Sequence, residues 1–174
     1  MSKEEIENIK KNMRWNITFA DIYSRYFFII FPLAIVFIGS TMTISGFKNN
    51  VTDLKIAAMI ILTVGLFLTA FVVRRLYQNQ VFDSFQIKDL TKEKVDLALK
   101  ASGLDNVKFH KLGYYTSTTN VSWFSWGEQI TIIINDNELL INSRPTGSSF
   151  SFQPITNFKD RQNIKTIINE LLMN

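Results

Sequence analysis

A membrane α-helical hairpin of two transmembrane helices, carrying a small cytoplasmic α+β domain of two layers, is the fold class this sequence predicts. Three observations lead there. Two uncharged apolar runs of membrane-crossing length lie in the first half of the chain, and its basic surplus is gathered around them. The second half carries helical and strand periodicities separated by cap and turn residues. The 174 residues are 47% hydrophobic and include 15 Phe, which excludes a disordered chain. There is no cysteine, hence no disulfide framework, thiolate metal site or thiol nucleophile. His110 is the single histidine, so a multi-histidine metal centre is excluded as well, and no cofactor is expected.

The first run, 26–47, holds 22 residues without a charge. As a helix it extends ~33 Å, enough for a hydrocarbon core of about 30 Å. The second, 56–73, holds 18 residues and ends abruptly at Arg74 and Arg75. It extends ~27 Å, and the stem of Lys55 can snorkel to make up the difference. The connection, 48–55, is short, so the spans form an antiparallel hairpin. Five Lys/Arg precede the first span (Lys3, Lys10, Lys11, Arg14, Arg25), and the connection carries two (Lys48, Lys55). Basic residues stay on the cytoplasmic side, which places both termini in the cytoplasm and the loop outside. A cleaved signal peptide is excluded by Glu4, Glu5 and Glu7 in the leading segment.

Residues 1–81 hold nine Lys/Arg and five Asp/Glu, whereas 82–174 hold ten of each. The net charge of +4 therefore belongs to the membrane-flanking part, and a nucleic-acid partner is not expected. Neither span contains an ionisable side chain, which argues against a self-contained transporter. Gly39 and Thr43 on one span, and Gly65 and Thr69 on the other, are spaced four apart, with Ala58 seven before Gly65. Small residues at that spacing form a helix-packing seam. Pro32 is expected to bend the first span.

In the leading segment, 1–25, Ile6, Ile9, Met13 and Ile17 recur at helical spacing. This amphipathic helix has two destinations, the cytoplasmic leaflet or the soluble domain. Residues 74–90 serve as an ordered linker, and 91–174 form the domain. Its first helix is capped by Thr91 and closed by Gly103, with Val95, Ala98 and Leu99 facing inward. Four or five mostly antiparallel strands follow: 107–112, 121–126, the hairpin 129–135 with 138–143 around Asn135-Asp136-Asn137, and a short strand at Phe150 and Phe152 ending at Pro154. Residues 116–120 are expected to be a loop. The last helix begins near Asp160 and buries Ile164, Ile167, Ile168 and Leu171.

No residue pattern defines an active site. His110 is expected on an exposed strand face without the carboxylate that would orient an imidazole base. Asp136 and Glu138 at the hairpin tip suggest at most a weak cation site, and more simply solvated turn residues. Arg144, Gly147 and Ser148 belong to a loop able to hold an anion, without the lysine and glycines of a phosphate loop. Trp123, Phe124 and Trp126 cannot all face inward on one strand, so at least one is available to dock a partner or lipid. The surplus of isoleucine and asparagine over alanine points to an AT-rich, bacterial source. The expected role is a non-catalytic protein of the bacterial cytoplasmic membrane, a subunit or regulator of a larger assembly with a protein partner or further copies of itself. The alternatives are a membrane-anchored enzyme acting on a phosphorylated or lipid substrate, and a small channel or transporter subunit.

Overall fold

A computed structural model describes residues 1–16, 27–104, 106–119, 127–145 and 157–173, the side chains of 157–161 excepted. The chain forms two compact units, Phe19–Tyr77 and the pair of segments Met1–Thr18 with Gln78–Asn174.

The first of these is a helical hairpin. A 3₁₀ turn, Phe27–Ile29, leads into α2 (Ile30–Lys48), and α3 (Thr52–Gln78) returns antiparallel to it. Both are long and apolar enough to cross a membrane. The turn between them is tight. Asn50 takes a left-handed conformation (φ 55°), and the Val51 amide donates back to the Gly46 carbonyl at 3.1 Å. Pro32 sits in the first turn of α2, directly after the 3₁₀ turn. α3 continues past Arg74 and Arg75, where the uncharged run stops, to Gln78, since a charged side chain breaks no backbone hydrogen bond.

The two helices meet through glycines. A Cβ on Gly39 would lie 2.7 Å from the Leu62 backbone nitrogen, and one on Gly65 would lie 2.8 Å from that of Val36. At Gly46 the corresponding distance, to the Lys55 nitrogen, is 3.1 Å. Ala58 is fully buried. Thr43 and Thr69 donate their hydroxyls to the carbonyls of Gly39 and Gly65, at 2.7 and 2.8 Å, so neither carries an unsatisfied polar group. The outer surface is apolar. Phe37 is 70% exposed, Ile44 68% and Phe67 71%.

The second unit is built on an antiparallel sheet of five strands among the described residues: β1 (Asp83–Gln86), β2 (Lys108–His110), β3 (Tyr114–Thr118), β4 (Glu128–Asn135) and β5 (Glu138–Pro145), in spatial order β1-β5-β4-β3-β2. The central hairpin has the expected turn, with Asp136 left-handed at φ 53°. Ile132 is registered against Ile141, and Ile134 against Leu139. Two segments differ from expectation. The linker contributes β1, an edge strand with no regular apolar alternation to announce it. The supposed loop at 116–120 is largely β3, where Tyr114 and Tyr115 are buried and the threonines suit a pleated backbone. The expected strands at 121–126 and 150–154 lie outside the described residues.

Helices cover both faces of this sheet, making three layers where two were expected. On one face pack α4 (Lys92–Ala101) and α5 (Asn157–Met173), whose Val95, Leu99, Ile164 and Ile167 meet Tyr115, Ile130, Ile132 and Ile141. Thr91 caps α4, accepting from the Lys94 amide at 3.3 Å, and Gly103 adopts the left-handed conformation (φ 70°) that closes it. On the other face packs α1 (Lys3–Asn12), which begins with a reciprocal capping box between Ser2 and Glu5. Its Ile6 and Ile9 meet Phe82, Tyr114, Ile133 and Leu140. Of the two destinations open to the amphipathic helix, the structure shows the sheet-bearing unit.

Tyr115, 1% exposed, has its phenol pushed well above its ordinary value of 10.0, first by burial and then by the neighbouring Asp96 carboxylate. The unfolded chain therefore releases this proton at lower pH than the folded one. Stability is retained below about pH 10 and falls as pH rises beyond it. Urea midpoints measured between pH 9 and 11.5 are expected to drop in the wild type and to drop less in Tyr115→Phe. Parallel profiles would show that another group governs alkaline unfolding.

Candidate functional site

After α1 the chain turns at left-handed Met13 (φ 54°) and runs as a short extended piece beside the segment leaving α3. Arg14 forms a β-bridge with Val81; the Trp15 amide donates to the Gln80 carbonyl at 3.0 Å, and the Phe82 amide to Met13 at 2.8 Å. Asn142, 2% exposed on β5, fastens the arrangement from the sheet. Its Oδ1 accepts from the Trp15 indole at 2.9 Å, and its Nδ2 donates to the carbonyls of Asn79 and Val81 at 3.2 and 2.7 Å. The segments that enter and leave the helical hairpin are thus joined by one buried carboxamide.

Beside this clamp, on the α1 face of the sheet, a cavity of about 320 Å³ is lined by polar side chains. From the sheet come His110, Tyr114, Thr116, Gln129, Thr131 and Arg144; from the leading segment come Met1, Glu5 and Trp15. The alternation of strands explains the gathering, because Thr116, Thr131 and Asn142 share a face across three neighbouring strands, Thr131 being registered against both others. The Arg144 guanidinium lies over the Trp15 ring at 4.2 Å, and its Nε and Nη2 donate to Gln129 Oε1 at 3.3 and 3.0 Å. The His110 ring stacks on Tyr114 at 4.2 Å, with Nε2 2.8 Å from the Thr116 hydroxyl. Thr131 is 1% exposed, and its hydroxyl has no hydrogen-bond partner among the described residues.

Of the residues singled out in the sequence, His110 and Arg144 thus share a pocket, the histidine half-buried and not on the exposed face expected. Arg144 belongs to β5 and engages an amide oxygen, while Gly147 and Ser148 lie outside the described residues, as do Trp123, Phe124 and Trp126. Gly39, Thr43, Ala58, Gly65 and Thr69 belong to the helical hairpin. At the hairpin tip Asp136 is exposed, whereas Glu138 accepts from Ser84 and, at 3.2 Å, from the Asn135 amide. No group of three potential metal ligands occurs among the described residues. Sequence reasoning missed Glu5, Trp15, Gln129 and Thr131 as pocket residues. Only Thr131 left a signal, as a polar residue inside the isoleucine-rich strand 130–134. Glu128, adjacent to a turn in sequence, is 1% exposed and takes hydrogen bonds from Ser143 at 3.0 Å and Asn163 at 2.8 Å, which ties β4 and β5 to α5.

No family model, curated protein or solved structure matches this chain.

Proposed function

We propose that this chain is a non-catalytic integral membrane protein of the bacterial cytoplasmic membrane. In this reading α2 and α3 span the bilayer, and the sheet-bearing unit is held on the cytoplasmic side as a binding module that regulates, or forms a subunit of, a larger membrane assembly. One observation carries the membrane assignment. Only 11% of the apolar window of the first span and 17% of that of the second is buried. A soluble protein does not leave two such helices facing water, whereas lipid accepts them without cost. Two further points support the topology. The segments before α2 and after α3 belong to one compact unit, which supports a reading with both termini on the same side. The basic residues mark that side as cytoplasmic. Binding is favoured over catalysis because a hydrolytic use of the His110–Thr116 pair requires a group that orients the imidazole, and among the described residues no carboxylate hydrogen-bonds His110.

The chain's lack of cysteine makes the topology directly measurable. Single cysteines at Lys11, Asn49 and Lys165 sit on exposed positions. In intact cells an impermeant maleimide is expected to label only position 49, and the protein is expected to stay in the membrane pellet after alkaline carbonate extraction. Labelling at 11 or 165 reverses the orientation, and release by carbonate overturns the membrane assignment.

A further inference from the structure

The three helices that cover the sheet are not attached to it in the same way. α5 is bonded through Asn163, which donates to Glu128 at 2.8 Å, and α4 through its Lys92 carbonyl, which accepts from the Tyr115 hydroxyl at 3.4 Å. Among the described residues no hydrogen bond or ion pair joins Lys3–Asn12 of α1 to the sheet. We propose that α1 is a lid. It swings off the sheet as one helix about Met13, while the clamp at Asn142 stays closed, and its opening gives solutes access to the polar cavity beneath.

Four observations carry this. The polar contacts of α1 are all internal: the Ser2–Glu5 capping box, the Glu7–Lys10 ion pair at 3.5 Å and the Asn8–Asn12 side-chain bond. Acidic residues in its first turn and basic residues in its last complement the helix dipole. None of these is lost when the helix leaves the sheet. Its attachment is apolar, through buried Ile6 and Ile9 with Met1 and Met13 partly buried beside them. Such contact is non-directional, and breaking it orphans no polar group.

The boundary between free and fastened backbone is sharp. Met13 is left-handed at φ 54°, and the ties begin there: its carbonyl accepts from the Phe82 amide at 2.8 Å, and the Trp15 amide donates to Gln80 at 3.0 Å. A hinge needs one such position where a dihedral change separates a fixed part from a moving one. Lastly, the end of α1 far from the hinge is the end that lies over open space. Met1 and Glu5 line the cavity of about 320 Å³, opposite Thr116, Gln129 and Thr131.

Opening exposes Tyr114, Ile133 and Leu140 to water, so the closed form dominates and the open form is a minor state. The lid lies wholly within the sheet-bearing unit, and its failure would leave the membrane assignment as it stands.

Native-state hydrogen exchange of the full chain in detergent reads the opening without any substitution. The amides of residues 6–12 are expected to exchange together, roughly a hundredfold or more faster than those of β4 and β5, and with little dependence on urea. Exchange in β4 and β5 is expected to accelerate steeply with urea, and the Trp15 and Phe82 amides to exchange more slowly than α1. The lack of cysteine permits a second reading. Leu140 and Ile141 are both fully buried on β5, the first under α1 and the second under α4 and α5. In Leu140→Cys the thiol is expected to label about tenfold faster or more than in Ile141→Cys, because only the former is uncovered by a partial opening. Exchange of α1 at the rate and urea dependence of β4 and β5 overturns the lid. A graded loss of protection along residues 6–12 shows fraying and overturns it too. Exchange of Trp15 and Phe82 in step with α1 removes the hinge from Met13, and equal labelling of the two cysteines denies the access.

Discussion

Asn142→Leu is expected to destabilise the sheet-bearing unit by about 2–5 kcal/mol, a large fraction of the 5–15 kcal/mol typical of a domain. Leucine keeps the branched skeleton of asparagine but is larger, so overpacking at this buried position adds to the loss of hydrogen bonds. The substitution leaves the Trp15 indole without an acceptor and the carbonyls of Asn79 and Val81 without their side-chain donor. Each orphaned buried group costs about 1–3 kcal/mol, with the lower end applying to the half-buried Trp15. Urea unfolding followed by tryptophan fluorescence is the measurement. Asn142→Asp sharpens it. The introduced carboxylate still accepts from Trp15 but turns an acceptor toward two carbonyls. Its pKa is raised in the folded state, so that variant is destabilised at neutral pH and recovers as pH falls and the group protonates. An unchanged urea midpoint for Asn142→Leu would show that the clamp adds nothing to stability.

How much of this was legible in the sequence depended on whether one segment held its own signal. The helix α4 carried its cap, its inward stripe and its closing glycine between Thr91 and Gly103, and all of them agree with the structure. So do the isoleucine alternation and the Asn-Asp-Asn turn of the β4–β5 hairpin, and the stripe Ile164, Ile167, Ile168, Leu171. These are local patterns whose period names the element and whose apolar set names the buried face. The stripe of α1 fixed a helix but not its partner, because the isoleucines that fit a lipid surface also fit a sheet. Only the tertiary match with Phe82, Tyr114, Ile133 and Leu140 decides between them.

β1 and β3 escaped notice for different reasons. Asp83-Ser84-Phe85-Gln86 is an edge strand with one half-buried apolar side chain, so period-two alternation never develops. Tyr114–Thr118 is polar in composition but obtains its burial from the strands beside it, as Ser117, only 3% exposed, illustrates. The pocket was illegible because its members come from Glu5 to Arg144, from one helix, the segment after it and four strands, and no periodicity connects positions so far apart. His110 and Arg144 drew attention as residue types; their meeting is a product of strand order. Edge strands and sites assembled across a sheet are where local sequence evidence runs out.

Gly65→Leu is expected to lower the melting temperature of the detergent-solubilised protein by more than any single exchange on the outer surface of the hairpin. The reason is the distance between backbones. A Cβ at Gly65 falls 2.8 Å from the Val36 nitrogen, and a Cβ at Gly39 falls 2.7 Å from the Leu62 nitrogen and 2.8 Å from its Cα. The obstruction is main chain, which cannot rotate out of the way, so the helices must separate. Separation forfeits close packing along the seam, and in an apolar medium no hydrophobic drive brings them back together. Overpacking costs about 1–3 kcal/mol in typical cores, and a leucine against fixed backbone belongs at the upper end. The same distances rank the alanine series. Gly39→Ala and Gly65→Ala are expected to destabilise measurably, and Gly46→Ala less, because its Cβ meets the Lys55 nitrogen at 3.1 Å, where a small shift suffices. Ile60→Leu is the control, on a side chain 59% exposed that lipid would accept in either form. Both glycines face the other span of the same chain, so crosslinking is expected to give the same oligomer in the wild type and in Gly65→Leu. Equal melting temperatures for Gly65→Leu and Ile60→Leu would refute the seam, and loss of an oligomer at unchanged melting temperature would move it from within one hairpin to the surface between two.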